Sequence, residues 1–177
     1  KKGGFSSGKS LKPYLETMCG NLLSAGFYKL IIVNGCGGNH ALIEAVSNAS
    51  DDIIYLPRWW HLHETRGIDD SYKAYVKSGA DPSDWVGTHA SELETSAVMA
   101  IENSRGKKLL RKENLKHAFG PCRASAVIPA MEEDRLGEIA PQGVLGDARS
   151  ATARKGEMLF DIIISEYLSL LERHLQA

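Results

Sequence analysis

The segment from Leu30 to Asn39 constrains the fold of this chain more than any other. Its first four residues, Leu30 to Val33, are all apolar, which is typical of a buried strand. A glycine-rich turn with one reactive side chain, Cys36, follows directly, and a helical pattern begins at His40. In open α/β sheets, ligands bind where strands end in this way, and glycines let the backbone approach a ligand closely. The segment therefore predicts a ligand site at the carboxyl end of a strand.

The rest of the chain alternates strand and helix patterns. A second strand is predicted at Asp52–Leu56, and a strong amphipathic pattern predicts a closing helix from about Ala151 to Leu175. Residues 104–149 carry many glycines, prolines and charges, so we expect long loops there, with one strand near Ala124–Ile128. Alternating elements with nearly all-apolar strands predict an α/β fold, a three-layer α/β/α arrangement with a mostly parallel sheet. Further helices are predicted at Leu11–Leu23, Asn39–Ser47, Asp69–Lys77 and Ser91–Asn103.

Length and charge exclude several classes of protein. The 177 residues fit a single domain, residues 1–177, and are enough to bury a core. A formal net charge of -1 provides no general attraction to nucleic acid or to an anionic membrane. No apolar run approaches the roughly 20 residues of a membrane helix. Three cysteines at irregular spacing argue against a disulfide framework and favour a reducing, cytoplasmic environment.

Cys36 lies between glycines at the strand exit, and three roles are open for it. A thiolate near a helix N-terminus can act as a nucleophile. A thiolate can also ligate zinc or another soft or borderline metal. The third role is that of a small, inert residue packed under the turn.

A second group of candidates begins at His89. If a helix begins near Ala90, Glu94 lies on its first turns and points toward the same end of the sheet as His89. A histidine beside a carboxylate can form a general acid–base pair or part of a metal site, although many such histidines are hydrogen-bonded loop residues. We expect Glu92 to be a capping carboxylate and Asp147 to belong to a turn or a helix cap.

The segment that follows the second predicted strand is rich in aromatic residues and histidine. Trp59 and Trp60 can wall a flat, small substrate, or they can be core or interface aromatics. His61 and His63 share a face of an extended segment, which makes them candidates for metal ligands or for the lining of a pocket. The remaining histidines are assigned structural roles, because nothing in the sequence converges on them: His40, His117 and His174.

Several motifs in chain order resemble those of the creatininase family of metal-dependent amidohydrolases. Residues 34–39 match the family's Asn-Gly-His-Gly-Gly-Asn turn, with Cys36 in the place of the histidine. Residues 89–96 match His-Ala-Gly-Glu-x-Glu-Thr-Ser, with Ser91 in the place of glycine. The resemblance covers essentially the whole chain, since it continues through Gly-Val-x-Gly-Asp at 143–147 and Lys-Gly-Glu at 155–157.

This resemblance implies an α/β/α fold, often assembled as a hexamer, with two metal ions at the carboxyl ends of the parallel strands. By position, Cys36 and Glu94 would be metal ligands, Glu94 would also take part in catalysis, and His89 would transfer protons near the substrate. The metal ions (zinc, manganese or iron) would activate a water that attacks an amide-like carbon. The substrate-binding residues that we predict are Gly37, Gly38, Trp59, Trp60 and His61.

The family's other ligands, a Glu-x-His pair and an aspartate, lie in an N-terminal segment, whereas this sequence begins at Lys1. We therefore expect the domain to be incomplete at its N-terminus, with that segment supplied by a companion chain, cleaved away or otherwise missing. It would complete a dinuclear site. A thiolate at position 36 would bind zinc at about 2.3 Å and would add negative charge, which favours zinc or iron over manganese.

The leading hypothesis is a cytoplasmic hydrolase of non-peptide C–N bonds that acts on a small cyclic or formyl amide. The expected partners are a small-molecule substrate, further copies of this chain and the companion chain, without nucleic acid or membrane. Creatinine-like lactams, formylated pyrimidine intermediates, short peptides and cyclic sugar ketones all stay open as substrates. The broken ligand set leaves a second hypothesis, a metal-free subunit with an assembly or regulatory role. A third is a cysteine-nucleophile hydrolase that uses Cys36 with His89 or His61.

Overall fold

A computed structural model describes residues 11–36, 39–56, 65–86, 89–133 and 135–176. The chain forms two compact units, the first comprising residues 1–62 and 165–177 and the second residues 63–164. The closing helix α9 (Ala153–Gln176) contributes residues to both units. That the chain is a single domain in need of a further N-terminal segment stays a prediction.

A β-α-β unit lies at the centre of the first compact unit. Strands β1 (Leu30–Val33) and β2 (Ile53–Leu56) are parallel neighbours with Leu30 opposite Ile53, and helix α2 (His40–Ser47) connects them. Parallel strands need such a crossover, because a tight turn can join only antiparallel ones. The pairing confirms the predicted α/β class with a parallel sheet.

The core of the first unit lies on one face of this sheet. Helix α1 (Leu11–Ser24) contributes Cys19 to a buried cluster with Val46 and Ile53, against which Leu15, Leu30 and Ile32 pack. The alternate residues of β1, Ile31 and Val33, are exposed by 48% and 60%. The expectation that β1 is buried is therefore wrong for half of its residues. Successive side chains of a strand point to opposite faces, and the face that carries Ile31 and Val33 is exposed at β1, whereas Ile53, Ile54 and Leu56 of β2 are buried.

The second unit is mostly helical. It contains α3 (Thr65–Ile68), α4 (Asp70–Lys77), a 3₁₀ turn (Pro82–Asp84), α5 (Glu92–Arg105), α6 (Lys112–Leu115), α7 (Ala124–Glu132) and α8 (Leu136–Ile139). Helices α4, α5 and α9 confirm the helices predicted from the sequence. None of the helices in the described residues combines the length and the apolar character that crossing a membrane requires.

The strand predicted near Ala124–Ile128 is wrong, because this segment begins helix α7. Val127 and Ala130, three residues apart, are both almost fully buried, which is the spacing of one helix face. The Asp84 carboxylate accepts hydrogen bonds from the Ser125 amide at 2.8 Å and from its hydroxyl at 3.2 Å, so it caps α7 from 41 residues away. A short apolar run does not distinguish a strand from a buried helix, and the distant cap is invisible locally.

Candidate active site

His89 and Glu94 lie together at the beginning of α5. The Leu145 amide donates to the His89 carbonyl at 2.8 Å and so ties the segment before the helix to residues 143–147. Ala90 has a φ of +50°, a left-handed conformation that is uncommon for residues other than glycine. In this conformation its amide donates a hydrogen bond to Glu94 Oε2. His89 and Glu94 thus lie at the same end of α5, and that both point toward one end of the sheet stays a prediction.

The carboxyl group of Glu94 lies in a partly desolvated place. Burial raises its pKa above the ordinary value, while the Ala90 amide and the nearby His89 imidazole oppose that shift. The effect of desolvation on the pKa is therefore larger than that of the hydrogen bond, and the negative charge of the carboxylate is only partly compensated. His89 itself is exposed. A carboxylate in this state can bind a cation or exchange a proton with a neighbouring group.

Glu92 is a capping carboxylate, as predicted, and the helix that it caps is a neighbouring one. Its side chain is completely buried, and it accepts hydrogen bonds from the Ser71 amide at 2.9 Å and from the Ser71 hydroxyl at 2.8 Å. Ser71 lies in the first turn of α4, so Glu92 caps the neighbouring helix rather than its own. The designated N-cap of α5, Ser91, makes no capping bond, and its buried hydroxyl has no partner within the described residues.

Lys155 neutralises the buried carboxylate of Glu92. Its Nζ lies 2.5 Å from Glu92 Oε1, 2.6 Å from Asp70 Oδ2 and 2.9 Å from the Ser150 carbonyl. Although burial acts to lower the pKa of Lys155, its bonds to Asp70 and Glu92 raise that pKa overall. We call Asp69, Asp70, Ser71, Glu92 and Lys155 the buried charge node; Asp69 and Glu92 are its buried members, and Asp70 is exposed.

Asp69 is the second acid of this node that is almost fully buried. It caps α4 by accepting the Tyr72 amide at 3.1 Å. Burial, together with the neighbouring Glu92, raises the pKa of Asp69 to about 7. Glu92 and Asp70 both bond Lys155, whereas Asp69 has no direct bond to it among the contacts described. At a pH below about 7, Asp69 therefore keeps a proton that an exposed aspartic acid would release.

Ser71 connects two of the motifs found in the sequence, and Lys155 connects the third through Glu92. The hydroxyl oxygen of Ser71 lies 2.8 Å from Glu92 Oε2 and 2.9 Å from the Asp147 carbonyl oxygen, and its one hydrogen can be donated to either acceptor. Segments 89–96, 143–147 and 155–157 therefore meet at one place in the second unit. Sequence reasoning missed Ser71, because an isolated serine in a helical pattern carries no signal of its own.

Asp147 and Gly156 hold the segments around Ser71 and Glu92 together. The Asp147 carboxylate accepts the Arg149 amide at 2.9 Å and its guanidinium at 2.6 Å, which confirms the predicted turn. A Cβ atom at Gly156 would lie 1.9 Å from the Ser96 carbonyl oxygen, so α9 and α5 approach more closely than any other residue would allow. The Thr152 amide also donates to the Ser96 hydroxyl at 3.1 Å.

Cys36 lies in the first unit, in the turn after β1. Its amide donates to the Asn34 side-chain oxygen at 3.0 Å, and its carbonyl accepts the Asn39 amide at 3.2 Å. The thiol is free and exposed. Cys36 and Glu94 belong to different units, and their convergence on one pocket stays a prediction. The predicted lining residues lie outside the described residues: Gly37, Gly38, Trp59, Trp60 and His61.

A family model named Creatininase, described as creatinine amidohydrolase, matches residues 6–171 of this chain. The chain belongs to the creatininase family. Its curated relatives include proteins named mycofactocin precursor peptide peptidase. The one from Mycobacterium ulcerans (strain Agy99) is 26% identical over 145 residues, which cover 82% of this chain and 48% of the relative. Those from two strains of Mycobacterium tuberculosis, CDC 1551 / Oshkosh and ATCC 25618 / H37Rv, are 26% identical over 146 residues with the same coverage.

This creatininase-family chain spans about half the length of the curated relatives that it matches. The family is metal-dependent, and the described donors fit a metal ion in kind: a desolvated carboxylate, an imidazole and an exposed thiol. They fall short in number. Within the described ranges, no three His, Cys, Asp or Glu side chains lie close enough together to hold a metal ion.

Proposed function

We propose that this chain forms part of a metal-dependent hydrolase that cleaves an amide-like C–N bond. The observation that carries the proposal is the pairing of Glu94 with His89 at the start of α5. Desolvation leaves Glu94 in need of a positive neighbour, and His89 lies close enough to influence its charge. A cation-binding carboxylate beside an exposed imidazole is a suitable arrangement for hydrolysis.

Each proposed residue has a distinct task. Glu94 binds the cation, and the Ala90 amide fixes one of its two oxygens. His89 carries a proton to the leaving nitrogen, for which its exposure gives access to substrate. Cys36 is the proposed thiolate ligand, and further ligands come from outside the described residues, including a separate N-terminal segment. The metal, zinc in the first place and manganese or iron otherwise, supplies an activated water when it is bound.

The substrate class follows from two considerations. We propose a small cyclic or formyl amide, held between the backbone of Gly37 and Gly38 and the side chains of Trp59, Trp60 and His61. The names of the relatives add a peptide amide as a competing substrate. Both kinds of substrate present a planar carbonyl group bonded to nitrogen, so the same residues can serve either.

We further propose that the protein acts in the cytoplasm as a homo-oligomer, a hexamer in the first place, with a companion segment. Exposed apolar residues of β1 and α1, such as Ile31, Val33 and Tyr14, support association with other protein surfaces. The three free cysteines agree with a reducing compartment.

The test uses the longest natural polypeptide that contains this sequence. Its metal content and its hydrolysis of lactams, formyl amides and short peptides are measured before and after chelation. We expect one or two metal ions per chain and a loss of activity on chelation. His89→Asn should abolish most of the activity, whereas His117→Asn, an exposed histidine in the loop after α6, should leave it unchanged. If the active protein contains no stoichiometric metal, the proposal is overturned.

Two alternatives have an observation of their own. The cysteine at position 36, where the family motif has a histidine, favours a subunit that binds no metal and has an assembly or regulatory role. This alternative predicts that the protein shows no hydrolytic activity with any added metal ion. The exposed thiol of Cys36 favours a cysteine-nucleophile hydrolase. It predicts that alkylation of Cys36 inactivates metal-stripped protein, and unchanged activity in Cys36→Ser would exclude it.

A further inference from the structure

One phenolic oxygen connects both ends of the turn that carries Cys36. Tyr55 lies in β2, and its hydroxyl oxygen is 3.1 Å from Asn34 Nδ2 and 2.7 Å from His40 Nδ1. Asn34 is the residue that follows β1, and His40 is the first residue of α2. The five residues between them include Cys36. No motif match had pointed to Tyr55, and His40 had been assigned a structural role.

The donors and acceptors of this network admit a consistent assignment. The Asn34 amide nitrogen can only donate, so the Tyr55 oxygen accepts that bond. The Tyr55 oxygen then either donates its hydrogen to an unprotonated His40 Nδ1 or accepts a second bond from a protonated one, and in both cases it joins the two residues. The 2.7 Å distance is typical of a strong hydrogen bond from a hydroxyl.

The other end of the Asn34 side chain reaches Cys36. Asn34 is 2% exposed, and its Oδ1 accepts the Cys36 amide at 3.0 Å. Tyr55 therefore acts on Cys36 through one rigid amide group. The Asn34 backbone amide also donates to the Leu56 carbonyl at 3.2 Å, which extends the ladder of the sheet by one residue. These bonds restrict the main chain at Cys36 and leave its thiol exposed.

We infer that Tyr55 and His40 are positioning residues for Cys36: they hold the turn in the conformation in which the thiol can serve as a metal ligand. This inference rests on the proposed function in one respect, the use of Cys36 as a ligand. Partners that orient a metal ligand commonly affect affinity by about tenfold or more, although they never touch the metal.

The first experiment compares Tyr55→Phe with Tyr28→Phe in the full chain. Tyr28 lies just before β1 and is 84% exposed, so its variant loses a hydroxyl outside the network. Hydrogen exchange at the Cys36 amide should become about fivefold faster in Tyr55→Phe, the value of one lost hydrogen bond, and should not change in Tyr28→Phe. Equal exchange in both variants would overturn the inference.

The second measurement uses cobalt(II) alone, which shows a thiolate-to-metal charge-transfer band when Cys36 binds it. Tyr55→Phe should raise the cobalt dissociation constant about tenfold, and Tyr28→Phe should leave it unchanged. If the wild-type chain shows no such band, Cys36 is not a ligand and the proposed metal role fails. The exchange comparison then still decides whether Tyr55 positions the turn.

A pair of histidine variants separates this role from general stabilisation. The side-chain oxygen of asparagine can take the place of histidine Nδ1, whereas the longer glutamine places its polar atoms near Nε2. His40→Asn should therefore retain more of the wild-type exchange protection than His40→Gln. Because both act through one oxygen, Tyr55→Phe combined with His40→Gln should add little to Tyr55→Phe alone. Full additivity, or a reversed order of the two histidine variants, would contradict the inference.

Discussion

The turn that carries Cys36 and the helix start that carries Glu94 are held in place by different kinds of interaction. Around Cys36, the bonds join Asn34 and Tyr55, which are uncharged and 21 residues apart. Around Glu94, the framework depends on Lys155 and the fully buried Glu92, which are 63 residues apart. The first arrangement is a local clamp that leaves its thiol exposed. The second takes charges out of water and depends on their mutual compensation.

The two candidate ligand positions should therefore respond to different perturbations. Removing a charge from the buried charge node leaves another charge without compensation, which is costly inside a protein. Removing a hydroxyl from the Tyr55 network loses one hydrogen bond, and water can replace part of it.

Lys155→Met should have the largest effect. It leaves the Glu92 carboxylate buried without its cation, and the free energy of unfolding should fall by about 4 kcal/mol in urea denaturation. The double variant Glu92→Gln/Lys155→Met should recover most of this loss, because no buried charge stays uncompensated. A double variant no more stable than Lys155→Met would show that charge compensation is not what holds the start of α5.

Gly156→Ala should have the next largest effect on stability. The added methyl group would lie 1.9 Å from the Ser96 carbonyl oxygen, so α5 and α9 have to separate, at a cost of about 3 kcal/mol in the free energy of unfolding. Gly137→Ala in α8 is the matched control, since nothing lies within 4 Å of its Cβ position. Thermal unfolding of both variants measures the difference. Similar melting temperatures for the two would contradict the close approach of the helices.

Asp69→Asn should change the pH dependence of stability. Because the folded-state pKa of Asp69 is about 7, above its unfolded value, the wild-type chain holds a proton that the unfolded chain releases at lower pH. This contribution is complete below about pH 4 and is lost as the pH rises through about 7. The variant keeps the cap of α4 without the charge. Its stability relative to wild type should therefore increase by on the order of 2 kcal/mol between pH 5 and pH 8.

Urea denaturation at the two pH values checks this result. Glu92 and Cys122 also interact electrostatically with Asp69, so the comparison between the variant and wild type isolates the contribution of Asp69 itself. If the relative stability is the same at pH 5 and pH 8, Asp69 does not hold the proton.

Tyr55→Phe should have the smallest effect on overall stability. It removes one hydroxyl that bonds Asn34 and His40, for which we expect a loss of about 1 kcal/mol in the free energy of unfolding. Tyr28→Phe should be close to neutral. A loss in Tyr55→Phe as large as that in Lys155→Met would remove the distinction between the two regions.

Much of the local structure was predictable from the sequence. The apolar run at β1, the glycine-rich turn and the periodic pattern of α9 each depend on residues within one or two turns of one another. The motif around His89 and Glu94 and the α/β class could also be recognised, because both depend on patterns of residues close together in the sequence. The strand predicted in place of α7 failed, because its cap comes from Asp84 and its buried face is defined by other helices.

The partners of the site residues were not predictable. The sequence indicated that Glu92 caps a helix but not that this helix is α4, and nothing in the sequence marked Ser71 or Tyr55. Each of these side chains obtains its role from a residue at least 15 positions away. Helix propensity and residue spacing depend on neighbours along the chain and therefore do not indicate contacts between distant segments.

Residue types and their local spacing therefore sufficed to recognise the α/β class, the family motifs and the pairing of His89 with Glu94. Folding alone brought Lys155 to Glu92 and buried Asp69, because desolvation and charge compensation depend on which distant segments pack together. The pKa of a carboxyl group is a property of its surroundings, and those surroundings come from segments far apart in the chain.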